Sequence, residues 1–214
     1  MKLYTFPTGQ LATNCYLMVD EQRGEAALID VCWFFLPELT ALLDGGEINV
    51  KYILLTHGHY DHICGVYDAK EYTGAQVAIH AADADCLYDP SKSMSDQSPY
   101  PQTPLHADLL IDEGDELSVG GLILKVLHTP GHSKGSVCFL EEKECALFSG
   151  DTLFFKTAGR SDLPGGSRTE LMSSLLRLKN LGGDYDVYPG HEQKTTLEFE
   201  RTHNFFMRRL GKKS

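Results

Sequence analysis

No apolar run in the chain approaches the length needed to cross a bilayer, so the sequence predicts no helical membrane span. The N-terminus, MKLYTFPTGQ, lacks the apolar segment of a signal peptide and enters a strand-like pattern at once. Basic residues are outnumbered: 19 Lys and Arg face 30 Asp and Glu, a formal net charge of -11. No basic stripe stands out, which disfavours nonspecific nucleic-acid binding; RR at 208–209 and KK at 212–213 form only a small C-terminal tail. CxxC pairs are missing too. The six cysteines, at 15, 32, 64, 86, 138 and 145, are widely spaced, and most sit beside apolar residues as buried free thiols do. These absences predict a protein of the reducing cytoplasm with neither membrane nor nucleic-acid partner.

What is present suits a globular domain. A hydrophobic content of 42% is enough for a core, and 214 residues predict one domain, 1–214. Short apolar strands are expected at 2–6, 15–19, 26–30, 51–56 and 76–80, and again at 120–129, 135–142, 144–150 and 185–190. Between them PELTALLD begins at Pro37 and stops at Gly45 and Gly46, as a helix would. DHICGVYDAK reads as one helix, and TTLEFERTHNFFMRRL as a terminal amphipathic helix suited to docking on its own domain or on a neighbour. SRTE (167–170) predicts a capping box ahead of LMSSLLRLK. Strands alternating with helices point to layered α/β architecture. The serine- and proline-rich stretch 88–108 interrupts the pattern as a long loop, either a lid near the site or a surface excursion. The strand-rich segments before and after it hint at an internal duplication.

The chemistry concentrates in THGHYDH (56–62), directly after the apolar KYILL. In an extended segment alternate residues share a face, so His57 and His59 can converge on one ion across Gly58. Asp61 and His62 project differently and suit a second ion. Three later turns each place a metal-binding residue after an apolar run and a glycine: His132 in TPGHS, Asp151 in FSGDT and His191 in YPGHE. Histidine with carboxylate suits zinc, and also iron or manganese.

The ordered set THGHYDH, PGHS, SGD and PGH resembles the metallo-beta-lactamase superfamily of metal-dependent hydrolases, over about residues 3–205. The resemblance implies an α+β fold, the four-layer αβ/βα sandwich with two mixed sheets facing each other and helices outside. It implies that His57, His59 and His132 hold a first divalent ion, that Asp61, His62 and His191 hold a second, and that Asp151 bridges them. SGDTLFFKTAGRSDLPGGS and PGHEQKTTLEFERTHNFF are similar to the short bacterial glyoxalase II-like (hydroxyacylglutathione hydrolase-like) enzymes, with Thr195, Thr196, Glu200, Asn204 and Phe205 at matching places. That likeness implies hydrolysis of a thioester such as S-lactoylglutathione by metal-activated hydroxide, with Asp61 and Asp151 as the catalytic carboxylates. The chain departs from full-length glyoxalase II in stopping short of its C-terminal helical domain. VCWFF (31–35) also replaces the proline–glycine turn usual after the aspartate matching Asp30, and the 88–108 loop is longer than usual.

Outside the cluster, Asp30 is expected to accept a proton from the far nitrogen of a ligand histidine. Lys156 and Arg160 could meet an anionic substrate, with a pair between Arg160 and Asp162 as the favoured alternative for Arg160. Tyr100 and Trp33 are expected near the pocket. Cys64 reads as a buried free thiol, and His80, His106, His128 and His203 as ordinary hydrogen-bonded histidines. Competing readings are an iron-dependent persulfide dioxygenase, a hydrolase of lactones, β-lactams or phosphodiesters on the same fold, and a non-enzymatic metal-binding protein.

Overall fold

The computed structural model describes residues 1–99 and 101–211; Tyr100 and the lysines at 212–213 lie outside the described residues. Each part of the chain builds one sheet. The first sheet comprises β1 (Lys2–Thr8), β2 (Thr13–Val19), β3 (Glu25–Ile29), β4 (Asn49–Leu54), β5 (Gln76–His80) and β6 (Leu109–Ile111), in that spatial order. Its first three strands are antiparallel, and β3 to β6 are parallel. Parallel neighbours require crossovers. These are helix α1 (Pro37–Asp44) between β3 and β4, and helices α2 (Tyr60–Ile63) and α3 (Val66–Thr73) between β4 and β5. Helix α4 (Pro90–Ser93) lies in the long loop before β6.

The second sheet comprises β7 (Glu116–Val119), β8 (Leu122–His128), β9 (Val137–Glu141) and β10 (Ala146–Gly150). After the hairpin of β11 (Leu153–Phe154) and β12 (Thr157–Ala158), helix α5 (Arg168–Lys179) leads to β13 (Asp186–Pro189), which pairs parallel with β10. Strand β14 (Thr195–Thr196) closes this edge, ahead of helix α6 (Leu197–His203).

Side-chain alternation turns two sheets into four layers. On β2, Tyr16 and Met18 face the second sheet and pack with Phe139 and Phe148 from β9 and β10. Cys15, Leu17 and Val19 point the other way, into a layer with Leu39 of α1 and Val66 of α3. The outer face of the second sheet, through Cys138, Leu140 and Leu147, buries Leu171, Leu175 and Leu178 of α5 and Leu197 of α6. Phe139 and Phe148 are fully buried, worth about 1.5–3 kcal/mol each by area. The fold is the expected αβ/βα sandwich. No helix among the described residues is long and apolar enough to cross a membrane.

Three local expectations need correcting. DHICGVYDAK is two short helices, not one, because the chain turns at Gly65, where a Cβ would come within 3.0 Å of the Phe34 nitrogen and Val31 Cγ1. The terminal helix breaks at Asn204, whose Nδ2 donates to the Thr157 carbonyl and to Glu200 while its Oδ1 receives the Phe206 and Met207 amides. The capping box is half made: Ser167 Oγ accepts the Glu170 amide at 3.3 Å, but the Ser167 amide donates to the Gly131 carbonyl at 2.8 Å.

Candidate metal centre

Parallel sheets place loops at the carboxyl ends of their strands, and the centre forms there, between the sheets. His57, His59, Asp61 and His62 follow β4, His132 follows β8, Asp151 follows β10 and His191 follows β13. The ladder between β10 and β13 shifts register between Phe148 and Gly150, and Gly150 at φ 46° turns the chain into Asp151. A Cβ at Gly150 would lie 2.5 Å from Thr56 Oγ1, so the two sheets meet here without side-chain clearance.

All seven predicted residues converge. One potential ligand atom from each of His57, His59 and His132 lies within 4.8 Å of the others, and the same holds for Asp61, His62 and His191. His57, His62 and Asp151 form a third such group, which puts Asp151 between the two sets. His59 Nδ1 and His132 Nε2 approach to 2.8 Å; Asp151 Oδ2 lies 3.4 Å from His132 Nε2 and 3.5 Å from His191 Nε2. Asp61 Oδ2 stands 3.2 Å from His191 Nε2 and receives the Thr13 hydroxyl at 3.0 Å.

The outer nitrogens fix which ring atom faces inward. His132 Nδ1 meets the Arg160 carbonyl at 2.8 Å, and His191 Nδ1 meets the Leu11 carbonyl at 3.0 Å. A carbonyl only accepts, so each Nδ1 carries a hydrogen, which leaves Nε2 as the ring atom turned to the centre. His62 Nδ1 faces Asp30 Oδ2 at 2.8 Å. The Thr56 hydroxyl donates to Asp30, leaving its oxygen to accept from His57 Nδ1 at 3.1 Å. Four histidines thus turn Nε2 toward the centre, while His59 turns Nδ1.

Electrostatics divide the histidines into two kinds. Burial, helped by the neighbouring histidines, holds His57 far below the usual histidine range and His59 down at about 3. Burial also opposes charging of His62 and His191. The carboxylates of Asp61, Asp30 and Asp151 outweigh it at His62, pushing it up to about 9; contacts with Asp151 and Asp61 push His191 up to about 11. Asp61 and Asp151 stay below the ordinary carboxylate range because His62 and His191 outweigh their burial.

The donor set fits divalent cations. His57 Nε2, His62 Nε2 and Asp151 Oδ1 are buried and lack hydrogen-bond partners, a costly state for polar atoms that converge on one point. A cation satisfies such atoms together, and the imidazole and carboxylate mixture is the one zinc, iron and manganese take.

Other candidates fall on both sides of the line. Arg160 borders the cavity but forms a two-pronged pair with Asp162 at 2.8 Å on each prong. Lys156 is not brought to the cavity: its Nζ lies over the Phe155 ring at 4.7 Å and the Phe199 ring at 5.7 Å, and its amide donates to Glu200. Trp33 does not line the cavity either and is 44% exposed. The Cys64 thiol is buried and pushed up to about 12 by that burial, which makes it a poor nucleophile. His80 and His128 stack on each other, His106 on Tyr88, and His203 on Phe199.

Sequence reasoning missed the fasteners. Asp83 is buried and ties the THGHYDH loop to the PGHS loop: it accepts the Gly58 amide at 3.1 Å, the Ser133 hydroxyl at 2.6 Å and the Gly135 amide at 2.7 Å. Asn14 Nδ2 and the Tyr16 hydroxyl both donate to the Pro189 carbonyl, anchoring the turn that carries His191. Beside the centre opens a cavity of about 880 Å³, bordered by Leu11, Met94, Phe154 and Leu163 as well as by ligand candidates.

Known proteins share this layout. A Haemophilus influenzae hydroxyacylglutathione hydrolase, GloC, is 30% identical over 97% of this chain and 98% of its own. The crystal structure of the BLEG-1 B3 metallo-beta-lactamase superposes with a TM-score of 0.89 at 33% identity, covering 96% of this chain and 99% of that one. TTHA1623, solved in a di-iron-bound form, reaches 0.82 at 34% identity over 95% of this chain and 99% of its own. The profile of the metallo-beta-lactamase superfamily matches residues 8–191, a span that contains every one of the seven converging side chains, and the chain belongs to that superfamily as a metallo-hydrolase.

Proposed function

We propose that the centre holds two divalent cations and hydrolyses a thioester, with S-lactoylglutathione as the reference substrate. His57, His59 and His132 would hold one cation, Asp61, His62 and His191 the other, and Asp151 would lie between them. The observation that carries this reading is the mutual approach of those ligand atoms, with three of them otherwise unpartnered. Bound there, the pair supplies a Lewis acid for a carbonyl oxygen and lowers the pKa of water. The chain's own part is positioning. Thr13 holds the Asp61 carboxylate toward the cavity, Asp30 and Thr56 fix His62 and His57, and Asp61 and Asp151 are the carboxylates placed to orient the attacking water. Zinc heads the candidate metals, with iron or manganese fitting the same donors; the di-iron-bound relative gives iron added weight. A small-molecule substrate suits the size of the cavity, and six cysteines with no disulfide between them suit a reducing cytoplasm.

The likeness to GloC supports the thioester. The likeness to BLEG-1 supports a second reading, hydrolysis of a β-lactam. Metal analysis of aerobically and anaerobically purified protein, paired with a screen of S-lactoylglutathione, other thioesters, lactones, β-lactams and phosphodiesters, separates them. Thioester turnover well above the other classes is expected. Dominant β-lactam turnover would replace the first reading with the second, and oxygen uptake with one bound iron would displace both.

A further inference from the structure

The segment 88–108 has no part in the proposed chemistry, yet one of its side chains gathers it tightly. Gln102 Oε1 accepts the Ser93 and Ser95 hydroxyls at 2.5 and 2.8 Å, and Gln102 Nε2 donates to the Cys86 and Leu87 carbonyls at 2.7 and 2.8 Å. Two lone pairs and two hydrogens are thereby all used. Ser93 and Ser95 are buried, and Met94 between them ends α4 at φ 66°, a left-handed conformation uncommon for methionine. Met94 borders the cavity beside the metal centre. Ala12 at φ 51° and Glu192 at φ 67° border it too, so three of the six non-glycine residues at positive φ among the described residues surround one cavity. Left-handed backbone at these three positions sets the direction in which each side chain leaves the rim.

Four large apolar side chains share this lining, and apart from the cations proposed at the centre it offers an anionic acyl group no countercharge of its own. Leu11, Phe154 and Leu163 join Met94, while the lining includes no unpaired lysine or arginine among the described residues, Arg160 being committed to Asp162. Glu192 adds a carboxylate to those of Asp61 and Asp151. Resting on the thioester reading, we infer that Met94 forms the wall of a specificity pocket for an uncharged, apolar acyl chain of several carbons, and that Gln102 is the positioning residue that holds it. A flexible thioether side chain suits a pocket that accommodates a range of chain lengths.

The test is a series of thioesters of one short thiol with acyl chains of increasing length, together with a succinyl member. It is run on the metal-loaded protein and on Met94→Ala and Gln102→Ala. In the unaltered protein kcat/KM should rise by up to about fourfold per added methylene. The succinyl thioester should fall well below its uncharged counterpart. Met94→Ala should flatten the length dependence through KM. Gln102→Ala should do the same without touching substrate, with bound metal unchanged in both. A flat series in the unaltered protein, or an equal slope in Met94→Ala, overturns the pocket. Calorimetric binding of the matching non-hydrolysable thioethers probes the wall independently of turnover. Chain-length-dependent Kd without hydrolysis would sink the thioester reading and keep the pocket, whereas hydrolysis with length-independent Kd would do the reverse.

Discussion

Asp30 Oδ2 lies 2.8 Å from His62 Nδ1, and the same oxygen receives the Thr56 hydroxyl at 2.7 Å. Through Thr56 and its 3.1 Å contact with His57 Nδ1, one carboxylate sets the tautomer of a histidine in each proposed triad. Asp30 does this from φ 54°, a region that asparagine also tolerates. In Asp30→Asn the backbone survives, but an amide NH₂ replaces the acceptor at His62 and Thr56. Both hydrogen bonds then reverse, and the inward Nε2 atoms gain hydrogens. Metal affinity should fall at the upper end of the range of about 10–100-fold seen when such partners are removed. Titration against a competing chelator reads it, and an unchanged affinity would remove Asp30 from the machinery.

Cation binding should release protons. His62, pushed up to about 9, and His191, pushed up to about 11, are both protonated near neutrality in the metal-free protein. A cation requires those nitrogens bare, so affinity should climb with pH by about tenfold per pH unit for each proton displaced, for both histidines up to about 9 and for His191 alone on to about 11. Calorimetry at pH 7 in buffers of different ionisation enthalpy should count about two protons released per fully loaded chain. Zero release would mean that the histidines enter the complex already neutral.

Asp83 should matter for stability as well as for metal. It is buried and accepts two loop amides and a hydroxyl from both sides of the first proposed triad. Asp83→Ala leaves those donors without a partner at a cost of order 3 kcal/mol. For a chain of this size that lowers Tm by about 6–12 °C. Metal held by His57, His59 and His132 should weaken in the same variant. A melting curve unchanged within a degree or two would show that water replaces the carboxylate at no cost.

The converging histidines and aspartates were legible because such residues in glycine-flanked turns after buried strands have no packing reason to be there. Legibility ended where the partners are backbone groups. Asp83 lies in AADADCL beside the exposed Asp85 and reads as surface charge; nothing in the residue string says that two amides from distant loops point at it. Gln102 and Thr13 were silent for the same reason. Layered α/β architecture was legible from strands alternating with helices, and the four-layer sandwich from the family resemblance, but the break after α2 was not. That break depends on Gly65 meeting the backbone around Phe34, a contact set by tertiary packing. Lys156 failed as a candidate because proximity to Asp151 in sequence does not fix direction: at φ 62° the chain turns its ammonium onto two phenylalanine rings.

Two substitutions at the bridge should fail alike for different reasons. Asp151→Ala removes the carboxylate whose Oδ1 is buried and unpartnered, so bound metal and activity should drop together. Gly190→Ala removes no ligand atom. An added Cβ there would come within 2.3 Å of Asp151 Oδ1 and 2.8 Å of His62 Cε1, so both side chains must move. The neighbouring backbone cannot yield easily, because the Gly190 amide donates to the Gly150 carbonyl at 2.8 Å and its own carbonyl receives the Asn14 amide at 2.7 Å. Sub-ångström displacement of a ligand is enough to degrade such a centre. Gly190→Ala should therefore fold, show native circular dichroism, and bind metal as poorly as Asp151→Ala. Metal content by elemental analysis decides it. Full loading and unimpaired turnover in Gly190→Ala would mean that Asp151 has slack the packing does not reveal, while full loading in Asp151→Ala would place the bridge elsewhere.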